Sequence, residues 1–173
     1  AKSTGQLMII IETNGDAHED VHPLWARLIE AMPGITSVYT ATAAGPSNHR
    51  YFGNTTAVCG SDSLTEVLGN LAFAVLPQSF FQPNPAAAAM LYEALLKEAA
   101  LTGRESVLGL FSGIGCIELY LAPFARSVVG VDSVEQNIES ARRNALRNGL
   151  SNCTFVHARA EAALSSLRRQ SFG

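Results

Sequence analysis

Apolar residues crowd the segment Gln6–Thr13 (QLMIIIET), which then stops at the turn pair Asn14-Gly15, a pattern that predicts a strand. The period changes next. Val21, Leu24, Trp25, Leu28 and Ile29 recur at helical spacing between Asp20 and Met32, and Pro33-Gly34 closes the helix. Ile35–Thr42 reads as a strand, 43–54 as a loop and Thr55–Cys59 as a short strand. Leu64–Leu68 and Leu71–Leu76 are separated only by Gly69-Asn70, the spacing of a tight hairpin. Residues 1–78 are thus expected to form a small α+β subdomain, one helix against mostly antiparallel strands.

From residue 79 onward strands and helices alternate. Asn84-Pro85 is an N-cap and first-turn pair, opening a helix through Met90, Leu91, Leu95 and Leu96 to a stop at Thr102-Gly103. Strands are predicted at Ser106–Phe111, Ser127–Val131 and Cys153–His157, with helices at Ile114–Leu121, after the capping-box pair Ser133 and Gln136, and at Glu161–Arg169. The middle helix is expected to turn Ile138, Ala141, Ala145 and Leu146 inward until Gly149 ends it. Such alternation predicts parallel βαβ units, so residues 79–173 read as α/β, the N-terminal half of a Rossmann-like domain. In the order 3-2-1 its first strand has an open edge, and an uncovered apolar edge predicts self-association.

Composition narrows the classes. With 173 residues, 47% hydrophobic and 16% charged, the chain can bury a core and is neither a disordered tail nor a coiled coil. No run approaches the roughly 20 apolar residues of a membrane helix, and AKSTGQ has no signal-peptide core, so a cytoplasmic protein without a membrane partner is expected. Cys59, Cys116 and Cys153 are odd in number and lack C-x-x-C spacing, which argues against disulfides, zinc and iron–sulfur clusters; buried structural thiols are the expectation. Cys116, beside a helix start, also has a place that can lower a thiol pKa. His18, His22, His49 and His157 show no metal spacing, so no metal is expected. Charge is uneven: residues 1–100 carry 4 Lys/Arg against 9 Asp/Glu, residues 101–173 carry 8 against 6. The basic excess permits a nucleic-acid partner without demanding one.

The chemistry concentrates at Ser112-Gly113-Ile114-Gly115, between a predicted strand and helix. Glycines there let backbone approach a ligand, and a helix start offers free amide donors. Asp132 ends the next strand 17 residues after Gly115, where a carboxylate can accept both hydroxyls of a ribose. Glu118 stands where a dinucleotide fingerprint has its third glycine, and no G-x-x-x-x-G-K-[ST] occurs. An adenosine ligand without phosphates, S-adenosyl-L-methionine, is therefore favoured over NAD or ATP. If the ligand site had been lost, the same glycines would serve only the turn.

Ser79-Phe80-Phe81-Gln82-Pro83-Asn84, then Val107-Leu108-Gly109-Leu110-Phe111-Ser112-Gly113-Ile114-Gly115, Val129-Gly130-Val131-Asp132 and Asn144-Ala145-Leu146-Arg147-Asn148 form a distinctive series. It resembles the RNA (uracil-5-)-methyltransferase family, whose members methylate uridine in tRNA or rRNA. The likeness runs from residue 5 to about 165, and S-F-F-Q-x-N is its specific motif. The resemblance implies a methyltransferase using S-adenosyl-L-methionine. In it Gln82 meets the methionine end, Phe111, Gly113, Gly115 and Cys116 line the cofactor, and Asp132 holds the ribose. Phe80 and Phe81 are expected to be core packing rather than base-stacking residues.

Four positions depart from the family pattern. Gly109 and Arg159 replace Asp, Ser112 replaces a common Cys, and Cys116 stands where Asn or Thr is usual. Loss of two carboxylates removes acceptors worth on the order of 1–3 kcal/mol each. The resemblance also implies that the family's nucleophilic Cys, its base Glu and a D-P-P-R-like motif follow the last residue here, and that an RNA-binding β-barrel precedes the first. The chain thus reads as a middle piece with no catalytic residue of its own, contacting RNA through the full-length enzyme and inactive alone. Two other readings stay open: another class of S-adenosylmethionine-dependent methyltransferase, and a non-catalytic RNA-binding or scaffold module.

Overall fold

The structure, a computed structural model, describes residues 1–13, 22–43 and 52–167. The chain separates into two compact units, residues 1–66 with 75–78 and residues 67–74 with 79–173.

In the first unit β1 (Leu7–Thr13), α1 (His22–Ala31), β2 (Ile35–Ala43) and β3 (Phe52–Gly60) give a three-stranded sheet in the order β1-β2-β3. β2 pairs β1 in parallel and β3 in antiparallel. Antiparallel pairing prevails as expected, in β2 with β3 and in the hairpin at Gly69-Asn70, and the β1–β2 pair is the exception. The helix between β1 and β2 serves as a crossover, which a parallel pair requires and a hairpin does not. As the central strand, β2 buries Ser37, Val38, Tyr39, Thr40 and Ala41 in succession, with Trp25 of α1 also in the core. Ser37 Oγ donates to Ser61 O at 2.6 Å and Tyr39 Oη to Asp62 O at 3.0 Å, whereas Thr40 Oγ1 is buried without a partner among the described residues. The expected loop over 43–54 lies largely outside the described residues, and β3 begins before its predicted start.

β4 (Leu64–Leu68) and β5 (Leu71–Val75) form the hairpin around Gly69-Asn70, and its turn end, residues 67–74, belongs to the second unit. There follow α2 (Pro85–Ala99), β6 (Ser106–Leu110), α3 (Cys116–Leu121), a short 3-10 turn (Ala122–Phe124), β7 (Ser127–Asp132), α4 (Glu135–Arg147), β8 (Cys153–His157) and α5 (Ala160–Leu167). Asn84 caps α2 by accepting the Ala87 N–H at 3.2 Å, and Pro85 fills the position that needs no donor. The helix stops at a left-handed Ala100 rather than at Thr102-Gly103. β6, β7 and β8 make a parallel sheet in the order β6-β7-β8. Ile114, Leu119, Val131, Ile138, Ala141 and Phe155 are buried, and Val128 forms a buried cluster with Ala122 and Ala125.

Two details of α4 differ from expectation. Its N-cap is Val134 without a side-chain cap, because Asp132, not Ser133, takes the free Val134 N–H. Leu146 is 84% exposed, and the inward position next to Ile138, Ala141 and Ala145 belongs to Asn144. The reason is polar. Asn144 accepts the Ala74 N–H at 2.8 Å and donates to Ala74 O and Ile114 O, while one turn later Asn148 accepts the Ala72 N–H and donates to Ala72 O, both at 2.9 Å. Two side-chain amides at helical spacing thus pair with alternate residues of β5 as a neighbouring strand would.

Candidate functional site

The glycine loop leaves β6 through Phe111, whose φ of 59° is rare for a residue with a side chain, and its ring is 76% exposed. Ser112 donates its N–H to Val131 O at 3.0 Å, so the loop is pinned to the neighbouring strand. Gly115 closes the turn onto Ser112 O at 2.9 Å and accepts the Leu119 N–H at 2.9 Å. Glycine is required at 115: φ is +84°, and a Cβ would come within 2.9 Å of the Phe155 ring and 3.2 Å of Ala141. Gly113 faces open space, with nothing within 4 Å of where its Cβ would be.

Asp132, at the end of β7, holds this loop. Its Oδ2 accepts the Gly113 N–H at 2.8 Å, and its Oδ1 accepts the Val134 N–H at 2.9 Å and the Asn137 side-chain amide at 3.2 Å. A carboxylate offers about four acceptor positions, so one remains after these three bonds, on Oδ2. That leaves room for one hydroxyl directly, where the sequence suggested two. Gly113, Gly115, Cys116 and Asp132 are therefore brought together at the ends of β6 and β7. Gln82 lies half-buried in the extended segment before α2, and among the described residues no hydrogen bond joins it to the loop.

Other expectations need correction. Cys116 does begin α3, but burial, then the nearby Glu118 carboxyl, push its thiol up to about 12. The helix start is outweighed by the loss of water around the thiolate. Burial, then Glu118, likewise raises Cys153 to about 11, and Cys59 is exposed rather than buried. Phe80 is 70% exposed and is not core, whereas Phe81 packs on Phe73 with ring centroids 5.9 Å apart. Arg159 is exposed just beyond β8, where Ala158 donates to Asp132 O at 3.0 Å.

The sequence reading missed one residue of the site. Glu118, in the first turn of α3, is 4% exposed, and its Oε2 is buried without a hydrogen-bond partner. Its carboxyl lies against Gly109 of β6, where a Cβ would sit 2.8 Å from Cδ and 2.9 Å from Cγ. Burial, offset in part by its own backbone N–H and reinforced by Asp132, pushes its pKa up to about 7. The signal was present as an acid amid Cys116-Ile117-Glu118-Leu119-Tyr120-Leu121, a run otherwise suited to packing. Ser112 Oγ is a second buried, unpartnered oxygen on the same loop.

Chemically, the loop combines an open glycine, a carboxylate with spare acceptor capacity, an exposed aromatic face and a buried acid lacking a counter-charge. This set fits a nucleoside that carries hydroxyls, a flat base and positive charge, and it supplies no cation to neutralise a phosphate chain.

Residues 101–173 match the family described as a methyltransferase domain. The chain is 33% identical over 170 residues to an uncharacterized RNA methyltransferase of Caldanaerobacter subterraneus subsp. tengcongensis, covering 98% of this chain and 38% of that protein. It is 34% identical over 167 residues to an uncharacterized RNA methyltransferase of Staphylococcus aureus, covering 96% of this chain and 37% of the relative. The chain thus spans well under half the length of these relatives. Among solved structures, the Pyrococcus abyssi tRNA (uracil-54, C5)-methyltransferase in complex with S-adenosyl-L-homocysteine is similar with a TM-score of 0.71 and 26% identity, over 90% of this chain and 36% of that one. The M. jannaschii tRNA m1G37 methyltransferase, at 14% identity and a TM-score of 0.57 over 90% of this chain and 46% of that one, shares the fold alone. The fold is the α/β, Rossmann-like fold of S-adenosylmethionine-dependent methyltransferases.

Proposed function

We propose that this chain is the central and cofactor-binding part of an S-adenosyl-L-methionine-dependent RNA methyltransferase, and that the methylated atom is carbon 5 of a uridine in tRNA or rRNA. One observation carries the reading: Asp132 clasps the Gly113 N–H at 2.8 Å beside an open glycine, in a chain similar over 90% of its length to a tRNA uracil-C5 methyltransferase. When bound, the cofactor supplies a methyl group on a positively charged sulfur. Asp132 keeps one acceptor for a ribose hydroxyl, Phe111 offers its ring to the base, and Gly113 lets the ligand approach the backbone. Gln82, with a donor and an acceptor on one amide, suits the amino-acid end.

Carbon 5 of uracil becomes nucleophilic only after a thiolate adds at carbon 6, and a base must then remove the carbon 5 proton. Cys116 and Cys153 are held as thiols by burial and do not supply that thiolate at neutral pH. In this reading both steps belong to the longer protein.

Calorimetry of the chain with S-adenosyl-L-homocysteine tests the cofactor part. Binding is expected, and Asp132→Asn should weaken it at least tenfold; because its amide can no longer accept on both sides, the variant also loses a loop hydrogen bond, and its melting temperature should fall while the chain stays folded. Undiminished binding by that variant removes Asp132 from the site. Mass spectrometry of RNA treated with the longer protein tests the rest: 5-methyluridine is expected, and methylation at another base or atom rejects the uracil assignment.

A further inference from the structure

Glu118 is the least explained side chain of the second unit. Its carboxyl is buried and one oxygen has no partner, an arrangement that costs free energy unless something else compensates. The titratable groups facing it are Tyr92 of α2, Cys116 of α3, Asp132 of β7 and Cys153 of β8. None is a cation. Tyr92 is itself pushed up to about 12, by burial first and then by Cys116 and Glu118. Among the described residues no Lys, Arg or His pairs with it.

The carboxyl fits only because residue 109 is glycine. Any side chain at 109 would overlap Glu118, so the β6 position and the α3 position cannot both carry one in this packing. Glu118 is also electrostatically linked to Asp132, whose Oδ2 holds the Gly113 N–H. A positive charge arriving at the loop would therefore meet two acids, one already engaged and one in want of a counter-charge.

We propose that Glu118 is a charge-selecting residue of the cofactor pocket: standing in the space that Gly109 leaves open, it favours a sulfonium nucleoside over the neutral thioether left after methyl transfer. The inference rests on the cofactor reading above. It gives the pocket a means of releasing product, because the attraction is lost with the methyl group. Glu118 acts through the field in a dry interior rather than by touching the reacting atoms, so it is a positioning residue. Selectivity must then follow its ionisation: with half-ionisation at about pH 7, the charged fraction rises about tenfold between pH 6 and pH 8.

The test is calorimetry of the full chain with S-adenosyl-L-methionine and S-adenosyl-L-homocysteine at pH 6, 7 and 8, for the wild type and Glu118→Gln. The two compounds share the amino acid, ribose and adenine, so the ratio of their affinities cancels every titration except that coupled to the sulfur charge. The ratio should climb with pH in the wild type, by up to about tenfold, and be independent of pH in Glu118→Gln, at or below the wild-type value at pH 6. Thioether binding should be the same in both proteins, which shows that the variant's pocket is intact. A flat ratio in the wild type, or a climb that survives in Glu118→Gln, overturns the inference while leaving the cofactor reading in place. Failure of the wild type to bind either compound overturns both.

Discussion

Replacing Asn144 by Ala should detach the hairpin from α4 in a residue-specific way. Asn144 is fully buried and makes three hydrogen bonds, one from the Ala74 N–H and one each to Ala74 O and Ile114 O. A protein hydrogen bond contributes about 1 kcal/mol net, and a buried group left without a partner costs about 1–3 kcal/mol. The bonds to Ala74 O and Ile114 O are long, 3.4 and 3.3 Å, so the lower figure suits them. The loss should be about 3 kcal/mol in all. Asn148→Ala removes the pair to Ala72 from a half-buried position, where water can replace part of what is lost, and should cost about 1–2 kcal/mol. Urea denaturation followed by circular dichroism measures the totals. Amide hydrogen exchange by NMR measures the mechanism: the Ala74 N–H should lose protection in Asn144→Ala before the Ala72 N–H does, and the order should reverse in Asn148→Ala. Unchanged protection at Ala74 in Asn144→Ala, with stability altered by less than about 0.5 kcal/mol, would refute the pairing as a structural term.

Three further outcomes are expected. Glu118 has a folded pKa of about 7, well above the ordinary carboxylate range, so its contribution to stability is complete below the unfolded value and is lost as pH rises through about 7. Glu118→Gln should remove about 3 kcal/mol of stability loss between pH 4 and pH 8, seen as a flatter dependence of melting temperature on pH; a profile identical to wild type rejects the burial argument. Phe111→Gly relieves a left-handed backbone and deletes an exposed ring, so stability should hold within about 1 kcal/mol while nucleoside affinity falls; a stability loss above about 2 kcal/mol would mean the ring is packed. At pH 8 a thiol reagent should label one cysteine rapidly, and Cys59→Ser should abolish that phase because burial keeps Cys116 and Cys153 protonated.

Local chemistry was legible wherever it acts over a few residues. The Asn84-Pro85 start of α2, the Gly69-Asn70 hairpin and the limits of β8 all follow from the chain itself. What escaped depends on partners distant in sequence. Asn14-Gly15 and Pro33-Gly34 signal chain reversal equally well for a hairpin or a crossover, so the parallel pairing of β1 with β2 could not be read from them. Hydrophobic period alone assigns Leu146 to the inner face of α4. It has no means of knowing that β5, some seventy residues earlier, presents unpaired amides that only Asn144 and Asn148 can satisfy. The same limit hid Glu118, whose meaning depends on the missing side chain of Gly109 on an adjacent strand.

Buried polar atoms without partners do not by themselves mark a binding site. Thr40 Oγ1 on β2 and Trp25 Nε1 on α1 of the first unit are equally unpartnered, with no other sign of a ligand beside them among the described residues. The loop between β6 and α3 differs by coincidence of costs. Within eight residues it holds a left-handed phenylalanine with its ring in solvent, an unpartnered serine hydroxyl and an unpaired buried acid. Glycine at 111 would relieve up to about 1 kcal/mol net of backbone strain, and an apolar residue at 118 would remove about 1–3 kcal/mol of desolvation. A sequence selected for stability alone has an easy route to both changes. Their retention side by side, around a glycine that faces open space, is the expected mark of a loop whose unfavourable terms are offset by a ligand. A nucleoside with hydroxyls for Asp132, a flat base for Phe111 and a positive charge for Glu118 would offset all of them at once.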